Sequence, residues 1–223
     1  TDHLSRFLFC TSEAPVELLA KEGIRDNVHV VGDPMYDAVL RFSQCAADRT
    51  LPLAGAIAGR PFAVATIHRA ENTDDPSRLR GILAGLSSLA REIAIVFPVH
   101  PRTEKTLERL GEDPRSRGII VSEPLSYLDL HRLLRDASLV LTDSGGLQKE
   151  AFWHKVPCVT LRDTTEWRET IEAGWNTLAG ADPHAIEMKA RAALSDPPLG
   201  APPAVYGDGR AGENIARILE SSG

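Results

Sequence analysis

Leu139-Val140-Leu141-Thr142-Asp143-Ser144-Gly145-Gly146-Leu147-Gln148-Lys149-Glu150-Ala151 is the stretch that decides the fold. Its apolar opening reads as a buried strand, which stops at a small-residue turn and passes directly into a helical pattern. Such a junction aims free backbone N–H groups and the positive end of a helix dipole at one spot in solvent, which suits a phosphate. Gly145 and Gly146 let the backbone approach an anion with no Cβ in the way, and Ser144 adds a hydroxyl donor. Glu150 lies a helical turn or so further in, where a carboxylate accepts hydrogen bonds from ribose hydroxyls. A tight turn followed by a surface acid is the competing reading, and the motif alone does not separate the two.

The surroundings favour the nucleotide. Apolar runs with strand character recur at 7–10, 28–31, 62–67, 93–99, 119–121, 139–141, 158–161 and 177–178, with helical patterns between most of them. That alternation predicts a doubly wound parallel sheet with helices on both faces, a Rossmann-like α/β layer. Ser12 followed by Glu13-Ala14-Pro15 and closed by Gly23 marks one helix; Asp75-Pro76 opens another through Ala90, with Leu79, Ile82, Leu83, Leu86 and Leu89 at helical spacing. Residues 46–60, rich in Ala, Gly and Pro and without period, read as a surface connection, and the breaker-rich stretch 196–203 precedes a last helix over 212–219.

Ligands of such sheets bind beyond the carboxyl ends of the strands. Polar chemistry does follow the strands here: Thr66-Ile67-His68-Arg69-Ala70-Glu71-Asn72, Pro98-Val99-His100-Pro101-Arg102-Thr103, Asp143-Ser144-Gly145-Gly146 and Arg162-Asp163-Thr164-Thr165-Glu166-Trp167-Arg168-Glu169. Composition sets the limits. With 223 residues, 43% hydrophobic and 25% charged, the chain has ample length for a buried core. A net charge of −6 speaks against a nucleic-acid surface, which needs a clustered basic face, and leaves room for a mononucleotide. Cys10, Cys45 and Cys158 lack metal-ligand spacing and suit a reduced, cytoplasmic protein. No apolar run approaches the ~20 residues that span a bilayer, and no acidic or histidine cluster calls for a metal or other cofactor.

In these motifs the chain resembles the non-hydrolysing UDP-N-acetylglucosamine 2-epimerase family. The resemblance rests on Thr1-Asp2-His3-Leu4-Ser5, the 66–72 block, Pro98-Val99-His100, the 142–151 block, Arg162-Asp163-Thr164-Thr165-Glu166 and Tyr206-Gly207-Asp208-Gly209-Arg210-Ala211, in the family's order along essentially the whole chain. It implies a GT-B-type fold of two Rossmann-like domains with the nucleotide between them. It also implies a reaction in which UDP-GlcNAc loses UDP to form a glycal and regains it with C2 inverted, giving UDP-ManNAc. A departing diphosphate gathers negative charge as the C1–O bond breaks, so such an enzyme needs a firm anion grip there.

By this resemblance Ser144, Gly145 and Gly146 hold the diphosphate, Glu150 holds the ribose, and His68 is the catalytic group beside the leaving UDP. A strand-end histidine satisfied by a neighbouring carbonyl is the alternative for His68. Arg69 and His100 match positions that contact a second UDP-GlcNAc, an activator, in substrate-regulated members; a generally charged rim is the alternative for them. Glu166 joins the substrate-binding set, while Asp163 and Thr165 either position sugar or diphosphate oxygens or cap the following helix. Where the family commonly carries a second Glu this chain has Lys149, and where it carries a diphosphate-binding Arg this chain has Trp167. Arg168 or Lys149 is then expected to supply the positive charge. Leu130 stands at a commonly aromatic position near the base, and His131, His154 and His184 have only a helix-surface reading.

The resemblance covers a carboxy-terminal half. The family's amino-terminal domain, which carries the Asp and Glu credited with proton transfer at the sugar, has no counterpart in the matching motifs. Residues 1–223 are therefore expected to form a single UDP-binding Rossmann-like domain with a terminal crossing helix. Alone it would show little or no turnover; UDP-GlcNAc or UDP, the missing domain and, in the full-length protein, a second copy are its expected partners. A fragment of a GT-B UDP-sugar glycosyltransferase and a non-catalytic nucleotide-sugar-binding module are the alternatives.

Overall fold

All eight apolar runs fold as strands in the computed structural model, which describes residues 1–222. The chain opens with β1 (Leu8–Cys10), α1 (Glu13–Lys21), β2 (Val28–Val30) and α2 (Pro34–Ala47). It continues through α3 (Ala54–Ile57), β3 (Phe62–Thr66), α4 (Ala70–Thr73), α5 (Pro76–Leu89), β4 (Ala94–Pro98), α6 (Pro101–Leu110) and β5 (Ile120–Ser122). Then come α7 (Tyr127–Asp136), β6 (Leu139–Thr142), α8 (Gly145–Trp153), β7 (Cys158–Thr160), α9 (Arg168–Glu172), β8 (Asn176–Leu178), α10 (Pro183–Ser195) and α11 (Ala211–Ser221). These elements divide into two compact units, one of Thr1–Cys45 with the segment from Pro203 onward and one of Ala46–Pro202.

The larger unit holds a six-stranded sheet in the order β5-β4-β3-β6-β7-β8, every pair parallel. Its central strands β3, β4 and β6 are apolar up to their last residues, where a one-sided sheet would alternate, because helices cover both faces. Ala63, Ala65, Ile95, Phe97, Leu139, Leu141 and Val159 share a core with Leu79, Ile82, Leu83, Leu86 and Leu89 of α5 and with Ile186 and Ala190 of α10. Their alternate neighbours Phe62, Val64, Val96, Val140 and Cys158 share a second core with Leu133 and Leu134 of α7 and Leu147 and Ala151 of α8. Each fully buried Leu or Ile contributes about 1.5–3 kcal/mol relative to an exposed one. The start of α5 is held as its sequence indicates: the Asp75 carboxylate accepts from the N–H groups of Ser77 (2.8 Å) and Arg78 (3.2 Å), with Pro76 following the cap.

Residues 46–60 depart from the surface connection expected of them. They include α3, and Ile57 is buried to 1% exposure in the same core as Phe62 and Val64. Leu51, Leu53 and Ile57, irregularly spaced in a glycine- and alanine-rich stretch, give no helical or strand period, so only the tertiary fold reveals that they pack on this core.

In the smaller unit β1 and β2 form a parallel pair, with Leu8 opposite Val28 and Cys10 opposite Val30. Asp37 of α2 caps α11, accepting from the N–H groups of Ala211 (3.0 Å) and Gly212 (2.8 Å). The Asn214 side chain donates to the Val31 carbonyl at 3.0 Å. Gly207 has φ +87°, and a Cβ there would lie 2.9 Å from Gly32 Cα, which explains a glycine in the 206–211 motif.

Candidate functional site

The order of the larger sheet places a topological switch between β3 and β6: the chain winds outward from β3 through β4 to β5, then outward the other way from β6 through β7 to β8. The crevice at such a point, beyond the carboxyl ends of the strands, is where open α/β sheets take ligands. A cavity of about 290 Å³ opens there. Thr66, Ile67 and His68 line it from the end of β3, Pro98 and His100 from β4, Pro124 and Leu125 from β5, and Ser144, Gly146, Leu147 and Glu150 from α8; Leu130 of α7 adds an apolar wall. Three of the four polar loops picked out in the sequence therefore meet in one cavity, together with Glu150.

Asp143 organises this rim. It is fully buried and accepts from the backbone N–H of His68 (3.0 and 3.1 Å to its two oxygens), from the Arg69 N–H (3.0 Å) and from the Asn72 side chain (3.1 Å). His68 Nδ1 lies 3.2 Å from the same carboxylate. Burial works to raise the Asp143 pKa, but the bond from the His68 side chain, with those from the Arg69 backbone, Asn72 and the His68 backbone, outweighs it, so the group is held below the usual aspartate value. With Nδ1–H turned to Asp143, the imidazole keeps Nε2 for another partner. The strand-end reading of His68 is thus half right: the ring is satisfied by a neighbour, but that neighbour is a carboxylate. Sequence reasoning placed Asp143 in the loop without giving it this role.

The first turn of α8 leaves backbone donors open. Ser144 caps it, accepting from Leu147 N–H at 3.4 Å, while the Gly145 and Gly146 N–H groups have no protein acceptor among the described residues. Gly145 is crowded on its Cα side: a Cβ would meet Trp167 Nε1 at 3.0 Å, Arg69 Nη2 at 3.5 Å and Glu166 Oε2 at 3.9 Å. Arg69 and Glu166 are therefore neighbours of this turn.

Arg162, at the end of β7, was missed as an organiser. Its Nη1 and Nη2 donate to the two Glu166 oxygens at 2.9 and 3.1 Å, and its Nε donates to Glu71 at 3.0 Å. The bond to Arg162, followed by the charges of Arg162 and Arg69, outweighs burial and holds the Glu166 carboxyl below its usual range. Arg168 begins α9, is exposed and does not line the cavity. Lys149 is buried with its ammonium 3.8 Å above the Trp167 ring, a cation–π contact. Asp163 takes a 3.0 Å bond from Arg78, and Thr165 donates to Gln148 at 2.6 Å. His100 caps α6, accepting from Arg102 N–H at 3.2 Å, with its ring 5.9 Å from that of His68.

The helix-surface reading fails for two of three histidines. His184 is exposed, but His131 is completely buried and His154, half-buried at the end of α8, bonds it ring to ring at 2.8 Å. His131 falls on the buried stripe of α7 beside Leu133 and Leu134, and α8 covers it; the 3.6 period of α7 was the available signal. No group of three or more metal-ligating side chains occurs among the described residues, and no helix among them is long and apolar enough to cross a membrane.

Residues 1–220 match the family model described as UDP-N-acetylglucosamine 2-epimerase. The chain is 42% identical, over 98% of its length and 61% of the relative's, to the UDP-2,3-diacetamido-2,3-dideoxy-D-glucuronate 2-epimerase of Pseudomonas aeruginosa. It is 37% identical to the UDP-N-acetylglucosamine 2-epimerase of Methanocaldococcus jannaschii over 98% of its length and 62% of the relative's. A crystal structure of the M. jannaschii UDP-GlcNAc 2-epimerase in complex with UDP-GlcNAc and UDP superposes with a TM-score of 0.89 at 36% identity, covering 99% of this chain and 62% of that one. The chain thus spans about three fifths of the length of these relatives. With its doubly wound parallel sheet, it belongs to the UDP-N-acetylglucosamine 2-epimerase family.

Proposed function

We propose that the cavity binds the UDP portion of a UDP-linked 2-acetamido sugar and that the chain serves a 2-epimerase reaction on that sugar. One observation carries this: a single cavity joins the α8 N-terminus and a carboxylate-held imidazole to a buried carboxylate further along the same helix, beside an apolar wall. Ser144 and Glu150 are separated by about 9 Å of helix at 1.5 Å per residue, a span suited to the distance from diphosphate to ribose. Ser144, Gly145 and Gly146 grip the diphosphate, Glu150 accepts from the ribose hydroxyls, and Pro98, Pro124, Leu125 and Leu130 form the apolar surface for the base. Relatives named for UDP-GlcNAc and for a diacetamido uronate share UDP and a nitrogen substituent at C2, which sets the substrate class.

In the reaction, His68 gives the departing UDP its proton or hydrogen bond from Nε2, while Asp143 keeps the ring oriented and stabilises its cationic form. Arg69 adds positive charge at the same turn. The alternatives of a glycosyltransferase fragment and a non-catalytic module gain no support from these features. Proton NMR of UDP titrated with the chain tests the reading. Broadening of uridine lines, reversed by UDP-GlcNAc and unmatched by ADP, is the expected result. Equal binding of UDP, ADP and bare pyrophosphate would overturn it.

A further inference from the structure

Behind Glu150 lies a relay that the nucleotide grip does not itself use. His131 on α7 is fully buried, with Nδ1 2.8 Å from His154 Nε2 and Nε2 3.5 Å from Glu150 Oε1. The Tyr127 ring covers it at 4.1 Å between centroids. Burial first, then the Glu150 charge, pushes the Tyr127 hydroxyl up to about 12, so Tyr127 adds no charge. Burial, then the charges of His131 and Arg135, pushes His154 down to about 4, so this ring is neutral near neutral pH.

The hydrogens of the pair follow from the carboxylate. If a neutral His131 donated from Nδ1 to His154, its Nε2 would turn a lone pair on Glu150, two acceptors facing each other in a buried site; a cationic ring would carry a hydrogen on Nε2 in any case. The reverse arrangement, His154 Nε2–H to His131 Nδ1, leaves a hydrogen on His131 Nε2 pointing at Glu150. That nitrogen is buried and makes no hydrogen bond at its present distance. A movement of ~0.6 Å brings it to the usual 2.9 Å.

We propose that His131 is a positioning residue for Glu150: it holds one oxygen of that carboxylate so that the other accepts from a vicinal diol of the ligand, with His154 fixing the imidazole tautomer. The inference rests on the reading of Glu150 as the ribose contact. It also separates two parts of one cavity, because the relay touches the diol end and leaves the Ser144–Gly146 anion grip alone.

The test is isothermal titration of the 223-residue chain with UDP and with 2′,3′-dideoxyuridine diphosphate, which keeps the diphosphate and base and lacks the diol. The wild type should prefer UDP by roughly tenfold or more, the worth of hydrogen bonds to a charged acceptor. In His131→Leu that preference should fall to about twofold or less, while the dideoxy nucleotide binds as before. His131→Gln, whose amide nitrogen reaches near the position of Nε2, should restore most of it. Equal weakening of both nucleotides, or an unchanged preference in His131→Leu, would overturn the proposal. Should His131→Leu fail to fold, nitrogen NMR of the wild-type imidazoles decides: a hydrogen on His131 Nε2 upholds it, and a bare Nε2 refutes it. A wild type that binds both nucleotides equally would instead remove the ribose reading of Glu150, and this inference with it.

Discussion

Asp143, just ahead of α8, and Glu150, within it, are both buried carboxylates seven residues apart, and they live in opposite circumstances. Asp143 accepts from two backbone N–H groups and the Asn72 amide and faces the His68 ring. Glu150, 8% exposed, has a single imidazole nitrogen at 3.5 Å. A buried carboxylate whose lone pairs are filled by its own protein is a piece of scaffold. One left short of donors at the edge of a cavity is waiting for donors from outside. The contrast makes the first a structural clamp and fits the recognition role proposed for the second.

Asp143→Asn should separate the two most sharply. It keeps the shape but loses the charge and turns an N–H₂ toward backbone donors, so unfolding by urea should show a loss of about 3 kcal/mol, the scale of leaving buried donors to a charged acceptor unsatisfied. Because the Asp143 pKa is lowered in the fold, its stabilisation is full above the ordinary value of 3.8 and is lost as pH falls through the lower folded value. The stability gap between wild type and variant should therefore narrow in acid below 3.8. A gap independent of pH would count against the charge as its source.

Gly145→Ala comes next, acting on ligand more than on fold. The new methyl would press on Trp167 Nε1 and lie against the Arg69 guanidinium, displacing the turn whose N–H groups are proposed to hold the diphosphate. UDP affinity should fall by about tenfold or more in a titration, while stability changes by less than ~1 kcal/mol, since alanine favours the helix that the contact strains. Glu150→Gln should cost roughly five- to tenfold in UDP affinity and leave the melting temperature nearly unchanged, because its one protein donor, His131 Nε2, stands at 3.5 Å without a formed hydrogen bond. A large loss of stability there would erase the distinction between the two carboxylates. The smallest effect is expected of Arg168→Ala, below about twofold in affinity, as suits an exposed charge outside the cavity.

The strands were legible because a sheet buried on both faces leaves unbroken apolar runs, and the polar loops were legible because they follow those runs. The Ser144 cap and the bare N–H groups of Gly145 and Gly146 belong to the same local pattern. Asp143 was not readable as a clamp, since its partners His68, Arg69 and Asn72 lie 71 to 75 residues away. Arg162 hid for the same reason, its bond to Glu71 spanning 91 positions. His131 and His154 were misjudged because each was weighed on its own helix, and their burial comes from the packing of α7 against α8. Chemistry written in one segment shows in the sequence; chemistry shared between segments waits for the fold.

The pairing of β3 with β6 carries a further consequence, for folding and not for chemistry. Ala63 sits opposite Leu139 and Thr66 opposite Thr142, joining segments 76 residues apart. Closing so long a loop is among the slower events in making such a sheet. Until it closes, Asp143 cannot reach His68, and the cavity has no floor. A ligand of this cavity therefore recognises only chains in which the centre of the sheet is complete. Its binding free energy adds to the stability of that whole layer, so a nucleotide in the buffer that occupies the cavity would raise the melting temperature in step with its concentration.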